Sequence, residues 1–285
     1  MKLATYFDGK LKTGIVSGGR VIDTGLAGTM IDLIADWPSL RPQLEARAAS
    51  GGGRPINEVA LRAPVLRPGK IFAIGLNYAD HIAESKVETP TKQIWFSKAQ
   101  TSVNGPYDPI LVGRTGPFVD YEVELVAVIG KGGKHISADR AAEHVFGYCV
   151  GNDVTERKWQ HVTPQWTLGK SFDTHTPIGP WITTADAVGD PHRLDITCQV
   201  NGETRQSSNT RHLVFGLWDQ IACLSQAMTL EPGDLIFTGT PGGIGGAMAP
   251  PRFLAPGDVV RCEIDELGVI EAVMAAEAHI GADVR

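Results

Sequence analysis

Strand-like runs and turn signals outnumber helical periods along this chain. Residues 2–6 and 12–16 suit a hairpin around Asp8-Gly9, and residues 30–37 and 43–49 predict two short helices. Ser50-Gly51-Gly52-Gly53-Arg54-Pro55 is a flexible breaker, after which residues 59–65 resume strand character. This divides the chain into a small β-rich N-terminal domain, 1–65, and a main domain, 66–285, whose first apolar strand is 70–75. Further on, Asn201-Gly202 is a two-residue hairpin signal between 196–200 and 203–206. Residues 213–228 form the one clearly amphipathic helical pattern. Pro-Gly-Asp turns at 232–234 and 256–258 each lead into a β-like run, and the Ala-rich last ten residues predict a short helix or a loose tail. The predicted class is α+β with β predominating.

The most informative run is VDYEVELVAVIG, residues 119–130, whose β-branched and aromatic residues predict a strand bound for a buried sheet. Glu122 and Glu124 sit in its middle. Strand alternation points both to one face, roughly 7 Å apart. At an effective dielectric of about 20 their repulsion costs on the order of 2 kcal/mol before any desolvation. Two arrangements satisfy this pattern. One is a half-exposed strand with a polar outer face; the other is an oxygen-preferring divalent cation, Mg²⁺ or Mn²⁺, held between the carboxylates.

Four further segments carry candidate chemistry. In GLNYADHIAE, residues 75–84, a helix predicted from about Tyr78 places His81 and Glu84 on one face at i, i+3. A carboxylate beside an imidazole fixes its tautomer and raises its basicity, as a general base requires, though an ordinary surface pair has the same spacing. Asp153, in GNDVTE, is a third candidate metal carboxylate; the Asp-x-x-Glu spacing equally predicts a cap for a helix starting at Val154. Arg157 and Gln160, one turn on, could face the same site. Lys170, in LGKSFD, suits a substrate carboxylate as a point charge or stands as a solvated loop lysine. DLIFTGTPGGIGG, residues 234–246, is a strand entering a glycine-rich turn whose N–H groups suit an anion. Pro250 and Pro251 follow instead of a helix, which excludes a dinucleotide fingerprint, and no Gly-Lys-Ser/Thr marks a phosphate loop.

Composition narrows the partners. The 285 residues are 42% hydrophobic and 20% charged, with a net charge of -6 and no block of lysines and arginines, which argues against nucleic acid or an anionic membrane surface. No apolar run reaches about 18 residues, and Lys2, Asp8, Lys10 and Lys12 interrupt the N-terminus, so neither a membrane span nor a signal peptide is expected and a cytoplasmic location is. Cys149, Cys198, Cys223 and Cys262 lie far apart in apolar runs without a CxxC pair, predicting buried free thiols rather than zinc.

GLNYADHIAES, DYEVELVAVIG, GYCVGNDVTER, LGKSFDTHTPIGPW, VNGETRQ and GDLIFTGTPGGIG occur in an order and spacing that resemble the fumarylacetoacetate hydrolase family across residues 70–275. The N-terminal region is like the variable appendage of small bacterial members. The resemblance implies a β-rich mixed fold around one divalent cation per subunit, Mg²⁺ or Mn²⁺, usually in a homodimer. It makes Glu122, Glu124 and Asp153 the metal ligands. Lys170 would contact the substrate, with Thr240 and the Gly239 turn at its carboxylate end and Lys98, Arg157 and Gln160 nearby. His81 and Glu84 match a pair that activates water on a lid segment. The expected activity is hydrolysis of a C–C bond in a 2,4-diketo acid, an acylpyruvate or diketo-deoxy sugar acid, through a metal-stabilised enolate. Oxaloacetate-type decarboxylation or hydroxymuconate-type isomerisation would use the same ligands; the retained His–Glu pair counts against a purely binding protein. Residues 207–212, His161 and His175 depart from the family pattern and are expected to border the substrate's distal end, whose identity stays open.

Overall fold

The computed structural model of the chain describes residues 1–85 and 87–278. The first hairpin forms between Lys2–Phe7 and Leu11–Ser17, with Lys2 opposite Val16 and Phe7 opposite Leu11. The helix Met30–Ala35 starts at a capping box: Thr29 accepts from the Asp32 N–H while the Asp32 carboxylate accepts from the Thr29 N–H. The next helix, Trp37–Ser50, starts earlier than the apolar spacing suggested. It buries Leu44 alone, so its period is weak, and Pro38 occupies a first-turn position that needs no N–H donor.

Among the described residues the main sheet has twelve strands. Its path runs Arg54–Pro55, Arg20–Asp23, Leu11–Ser17, Lys2–Phe7, Thr176–Thr184, Val145–Asn152, Val123–Ile129, Leu235–Phe237, Ile71–Gly75, Ile94–Ser97. Lys2 pairs with Thr183 and Leu3 with Ile182, so the sheet is continuous across residues 1–65 and 66–285. One apolar cluster joins Leu3, Ile15 and Leu33 to Val126, Val128 and Phe237. A second, five-stranded sheet, Glu203–Asn209, Asp195–Val200, Val259–Ile264, Gly268–Ala276 and Ile110–Val112, covers the opposite side. The architecture is α+β and β-rich, as the pattern predicted.

The strand at the centre of both layers is the one with two carboxylates. Val123, Leu125, Ala127 and Ile129 pack toward the second sheet, while Val126 and Val128 face the N-terminal cluster. No residue of Val123–Ile129 is exposed, which rules out a polar outer face. The run is also split: Val119–Asp120 pairs with Thr155–Glu156, and Val123–Ile129 continues the main sheet.

Turn chemistry matches its signals. Asn201 (φ 52°) and Gly202 (φ 79°) both take the left-handed conformation of a type I′ hairpin. Asp234 and Asp258 each close their Pro-Gly-Asp turn by accepting the N–H three residues back, at 2.8 Å. The strand expected at 59–65 shortens to Ala60–Arg62. The amphipathic helix spans Leu217–Ala227, because Asn77 engages the backbone N–H groups of Val214 and Phe215 before it can begin. Of the alanine-rich tail, Ala276 ends a strand and residues 279–285 lie outside the described residues.

Candidate active site

Strand register builds the acidic cluster. Val123 lies opposite Asn152 and Glu124 opposite Gly151, so Asp153 follows next to Glu122, and its N–H donates to the Glu122 carbonyl at 2.8 Å. A side chain on Gly151 would collide with Val126 and Phe237, which explains glycine there. One oxygen each of Glu122, Glu124 and Asp153 lies within 4.8 Å of the other two, and all three residues are buried. The alternative role for Asp153 as a helix cap is excluded. No helix begins at Val154, and Arg157–Gln160 is capped by Glu156, which accepts the Trp159 N–H at 2.7 Å.

Three cations serve this cluster unevenly. Lys170 Nζ lies 2.7 Å from both Glu122 and Asp153, and Lys98 Nζ lies 2.5 Å from the other Asp153 oxygen. Arg157 stands 2.7 Å from Glu122 and 2.9 Å from Asp120. Among the described residues Glu124 has no cation partner; its bond is to the Gly239 N–H, at 2.7 Å. Burial opposes ionisation of Glu122, but the charges of Lys170 and Arg157 prevail and hold its pKa down at about 2. For Glu124 burial and then the charges of Asp153 and Glu122 act together and raise it well above the ordinary carboxyl value. Burial also lowers Lys98, against the attraction of Asp153. It works against the charge of Lys170 too, yet Asp153 and Glu122 raise that group. An all-oxygen, buried donor set with one carboxylate lacking a positive partner fits a hard divalent cation.

The glycine-rich turn does bind anions, and they are the protein's own carboxylates. Gly239 N–H serves Glu124, Gly243 N–H serves Glu84, and Gly245 and Gly246 N–H serve Asp120 at 2.8 Å each. Gly243 (φ 101°) passes so close to the Arg205 carbonyl that any Cβ would sit 2.0 Å from its oxygen. The Thr240 hydroxyl donates to the Val123 carbonyl and accepts from Gln206.

His81 and Glu84 lie on the helix Ala79–Ser85, with Nδ1 and Oε1 2.8 Å apart. The second Glu84 oxygen is held by Gly243, so in the neutral ring Nδ1–H donates and Nε2 is the basic nitrogen. A cavity of about 590 Å³ joins this pair to the carboxylates. Arg157, Gln160, Lys170 and Thr240 share its polar wall, and Ile74, Phe96, Trp166, Ile244 and Phe253 its apolar one. Lys98 is absent from that wall: its ammonium ends on Asp153 and the Val154 carbonyl and positions the carboxylate from behind.

Among the departures from the family pattern, His161 lines the cavity. Residues 207–212 do not. His175 does not either: its Nε2 meets the Leu111 carbonyl at 2.9 Å, it stacks on Phe172, and burial lowers its pKa to about 4. The four cysteines are free, but Cys223 is exposed, contrary to expectation. Two functional residues had no role assigned from sequence. Gln206 accepts the Val123 N–H at 3.0 Å and donates at 2.8 Å to Thr240 and to the Pro241 carbonyl, tying the strand of Glu124 to the glycine turn. Asp120 carries Arg157. For Asp120 the available signal was a carboxylate in a buried strand; Gln206 sits in an all-polar strand, where nothing local sets it apart. Among the described residues no helix is long and apolar enough to cross a membrane.

Residues 70–275 match the family model described as fumarylacetoacetate (FAA) hydrolase C-terminal. Over 267 residues, 91% of this chain and 85% of the relative, the chain is 47% identical to the Rattus norvegicus protein named oxaloacetate tautomerase Fahd2a, mitochondrial. That name does not share the cytoplasmic location expected from the sequence. A maleylpyruvate hydrolase from Sphingobium sp. SYK-6, solved with manganese (II) ion and pyruvate, is 35% identical with a TM-score of 0.84, covering 98% of this chain and 100% of its own. A 5-carboxymethyl-2-hydroxymuconate delta-isomerase from Mycobacterium smegmatis is 31% identical with a TM-score of 0.80, over 98% and 100%. These relatives are enzymes with different reactions on one scaffold. The family model spans most of the chain and the likeness to solved relatives runs nearly end to end: the chain belongs to the fumarylacetoacetate hydrolase family.

Proposed function

We propose that this chain is a metal-dependent enzyme that moves a proton at the carbon beside the 2-oxo group of an oxaloacetate-type acid, interconverting keto and enol forms. The observation that carries this reading is a single imidazole–carboxylate pair, His81–Glu84, on the wall of the cavity that also exposes Glu122 and Glu124 of the buried triad. The rat relative's name supports it at 47% identity. Glu122, Glu124 and Asp153 would hold Mg²⁺ or Mn²⁺, which when bound supplies Lewis acidity to a 2-oxo carbonyl and so acidifies the neighbouring C–H.

The chain's own residues perform the proton transfer. His81 Nε2 takes the C3 proton; the C–H electron pair becomes the C2=C3 bond and the carbonyl π pair moves to the C2 oxygen. Return of the proton to that oxygen completes the enol and restores the neutral ring, so nothing is consumed. Glu84 stabilises the imidazolium in between, and Gly243 keeps Glu84 aimed at it. Lys170 stays positive beside the site, its charge favoured by Asp153 and Glu122.

Hydrolysis of a 2,4-diketo acid remains the second reading. There His81 would deprotonate water instead of carbon, and the maleylpyruvate hydrolase relative and the roomy cavity favour it. A homodimer with one cation per subunit belongs to either proposal. The test is an absorbance assay of oxaloacetate enol decay with Mg²⁺ or Mn²⁺, with EDTA, and with His81→Ala, with acylpyruvates in parallel. Metal- and His81-dependent enol decay supports the tautomerase; acylpyruvate loss without it moves the assignment to the hydrolase.

A further inference from the structure

Among the described residues, the titratable side chains on the cavity wall are committed to partners within the protein, with one exception. Glu122 faces Lys170 and Arg157, Glu124 accepts from Gly239, and Glu84 holds His81 and Gly243. Arg157 directs Nε to Asp120 and Nη1 to Gln160, while its other Nη lies between Asp120 and Glu122. Lys170 divides itself between Glu122 and Asp153. The exception is His161, directly after the helix Arg157–Gln160, whose ring makes no hydrogen bond among the described residues yet lines the cavity.

A dicarboxylic 2-oxo acid brings two negative ends into this space. The 2-oxo end belongs at the triad. Among the described residues the wall offers the other end no uncommitted lysine or arginine, so an ammonium or guanidinium there can meet it only by leaving a carboxylate already paired. Burial, and then the charges of Arg157 and Lys170, lower the pKa of His161. Those two charges are already balanced by Asp120, Glu122 and Asp153, so what the corner offers an anion is the imidazole N–H of His161 rather than a net positive charge. Trp166, Ile244 and Phe253 give the same cavity an apolar surface suited to a hydrocarbon stem.

We propose, resting on the 2-oxo acid reading above, that His161 is a specificity-determining residue that receives the distal carboxylate of a dicarboxylic 2-oxo acid. The cavity then selects diacids over monoacids of equal length, through an imidazole N–H donated to the carboxylate. Because His161 is exposed at the cavity edge and holds no other part of the fold, its substitution leaves folding intact.

The test is calorimetric binding to the Mn²⁺-loaded protein, comparing oxaloacetate, 2-oxoglutarate and 2-oxoadipate with 2-oxobutyrate, 2-oxovalerate and 2-oxohexanoate. The parent is expected to prefer at least one diacid over its length-matched monoacid. His161→Leu should weaken that diacid about tenfold, the loss of one hydrogen bond to a charged group. Monoacid binding should stay within about twofold, and His161→Gln, which keeps a donor, should recover part of the difference. Equal weakening of diacid and monoacid, or no weakening of the diacid, overturns the role of His161. A parent that binds both classes alike overturns it too while sparing the 2-oxo acid reading; a parent that binds neither class with Mn²⁺ overturns both.

Discussion

Glu124→Gln should separate the two roles proposed for the acidic cluster, which are to hold a cation and to strain the protein without one. The Glu124 carboxylate is buried beside Glu122 and Asp153, and burial followed by those two charges raises its pKa. A carboxyl whose folded pKa exceeds its unfolded value stabilises the fold below the unfolded pKa, and that contribution is lost as pH rises through the folded pKa. The metal-free parent should therefore lose stability across that window, by at most about 1.4 kcal/mol per pH unit from this group. Glutamine keeps the shape and an acceptor for Gly239 while removing the charge, so the metal-free variant should be at least as stable as the parent, with the gap widening toward alkaline pH. Metal reverses the order. A ligand at one hundred times its Kd adds about 2.7 kcal/mol. With an unfolding entropy of about 2.1 cal/mol/K per residue, that is about 4–5 °C in Tm for a chain of this length. The parent should gain that from Mn²⁺ and the variant less than about 1 °C at the same concentration. Scanning calorimetry between about pH 5.5 and 8.5, with and without Mn²⁺, reads both effects. A metal-free variant that melts several degrees below the parent, or one that gains as much from Mn²⁺, refutes the reasoning.

Three further substitutions probe the surrounding parts. His81→Ala should keep the Mn²⁺-dependent rise in Tm while turnover falls about 10²–10⁴-fold, as loss of a general base implies; parent-like turnover would remove His81 from the mechanism. Gln206→Leu strands the buried Val123 N–H, at about 1–3 kcal/mol, and should weaken Mn²⁺ binding without touching any ligand; calorimetric titration showing an unchanged Kd would confine Gln206 to packing. Lys98→Met leaves Asp153 short of one cation in a fully buried site and should lower metal-free Tm, with Mn²⁺ restoring part of the loss; an unchanged Tm would mean that Lys170 alone satisfies Asp153.

The carboxylate pair was legible because period-two alternation is a local property, and two acids among Val, Leu and Ile violate it conspicuously. Whether that strand was half exposed or buried was not legible, because its cover comes from Leu3 and Ile15 on one side and Cys198 and Val260 on the other. Asp153 was ambiguous for the same reason. Its local spacing fits a cap, and only the register that sets Asn152 opposite Val123 sends it to the cluster. The hairpin at Asn201-Gly202 and both Pro-Gly-Asp turns followed from backbone preferences that need no distant partner. The start of the helix Leu217–Ala227 did not, since Asn77 intervenes from far along the chain. The glycine turn was identified as an anion site, but that its anions are Glu124, Glu84 and Asp120 depends on tertiary contacts alone.

Charge ties these pieces into one site. Asp120, Glu122, Glu124 and Asp153 face Arg157, Lys98 and Lys170, four carboxylates against three cations. The excess falls on Glu124, which among the described residues has no cation of its own. With Glu124 ionised, a divalent ion would leave the cluster one positive charge in excess, which the carboxylate of a 2-oxo acid would then cancel. In a buried cavity each imbalance is costly, so ion and acid should each bind more tightly in the presence of the other, by the same factor. The three cations are therefore fixtures of the cluster rather than groups waiting for substrate. A second carboxylate on the substrate therefore finds its partner outside the cluster, the place proposed for His161 at the cavity edge.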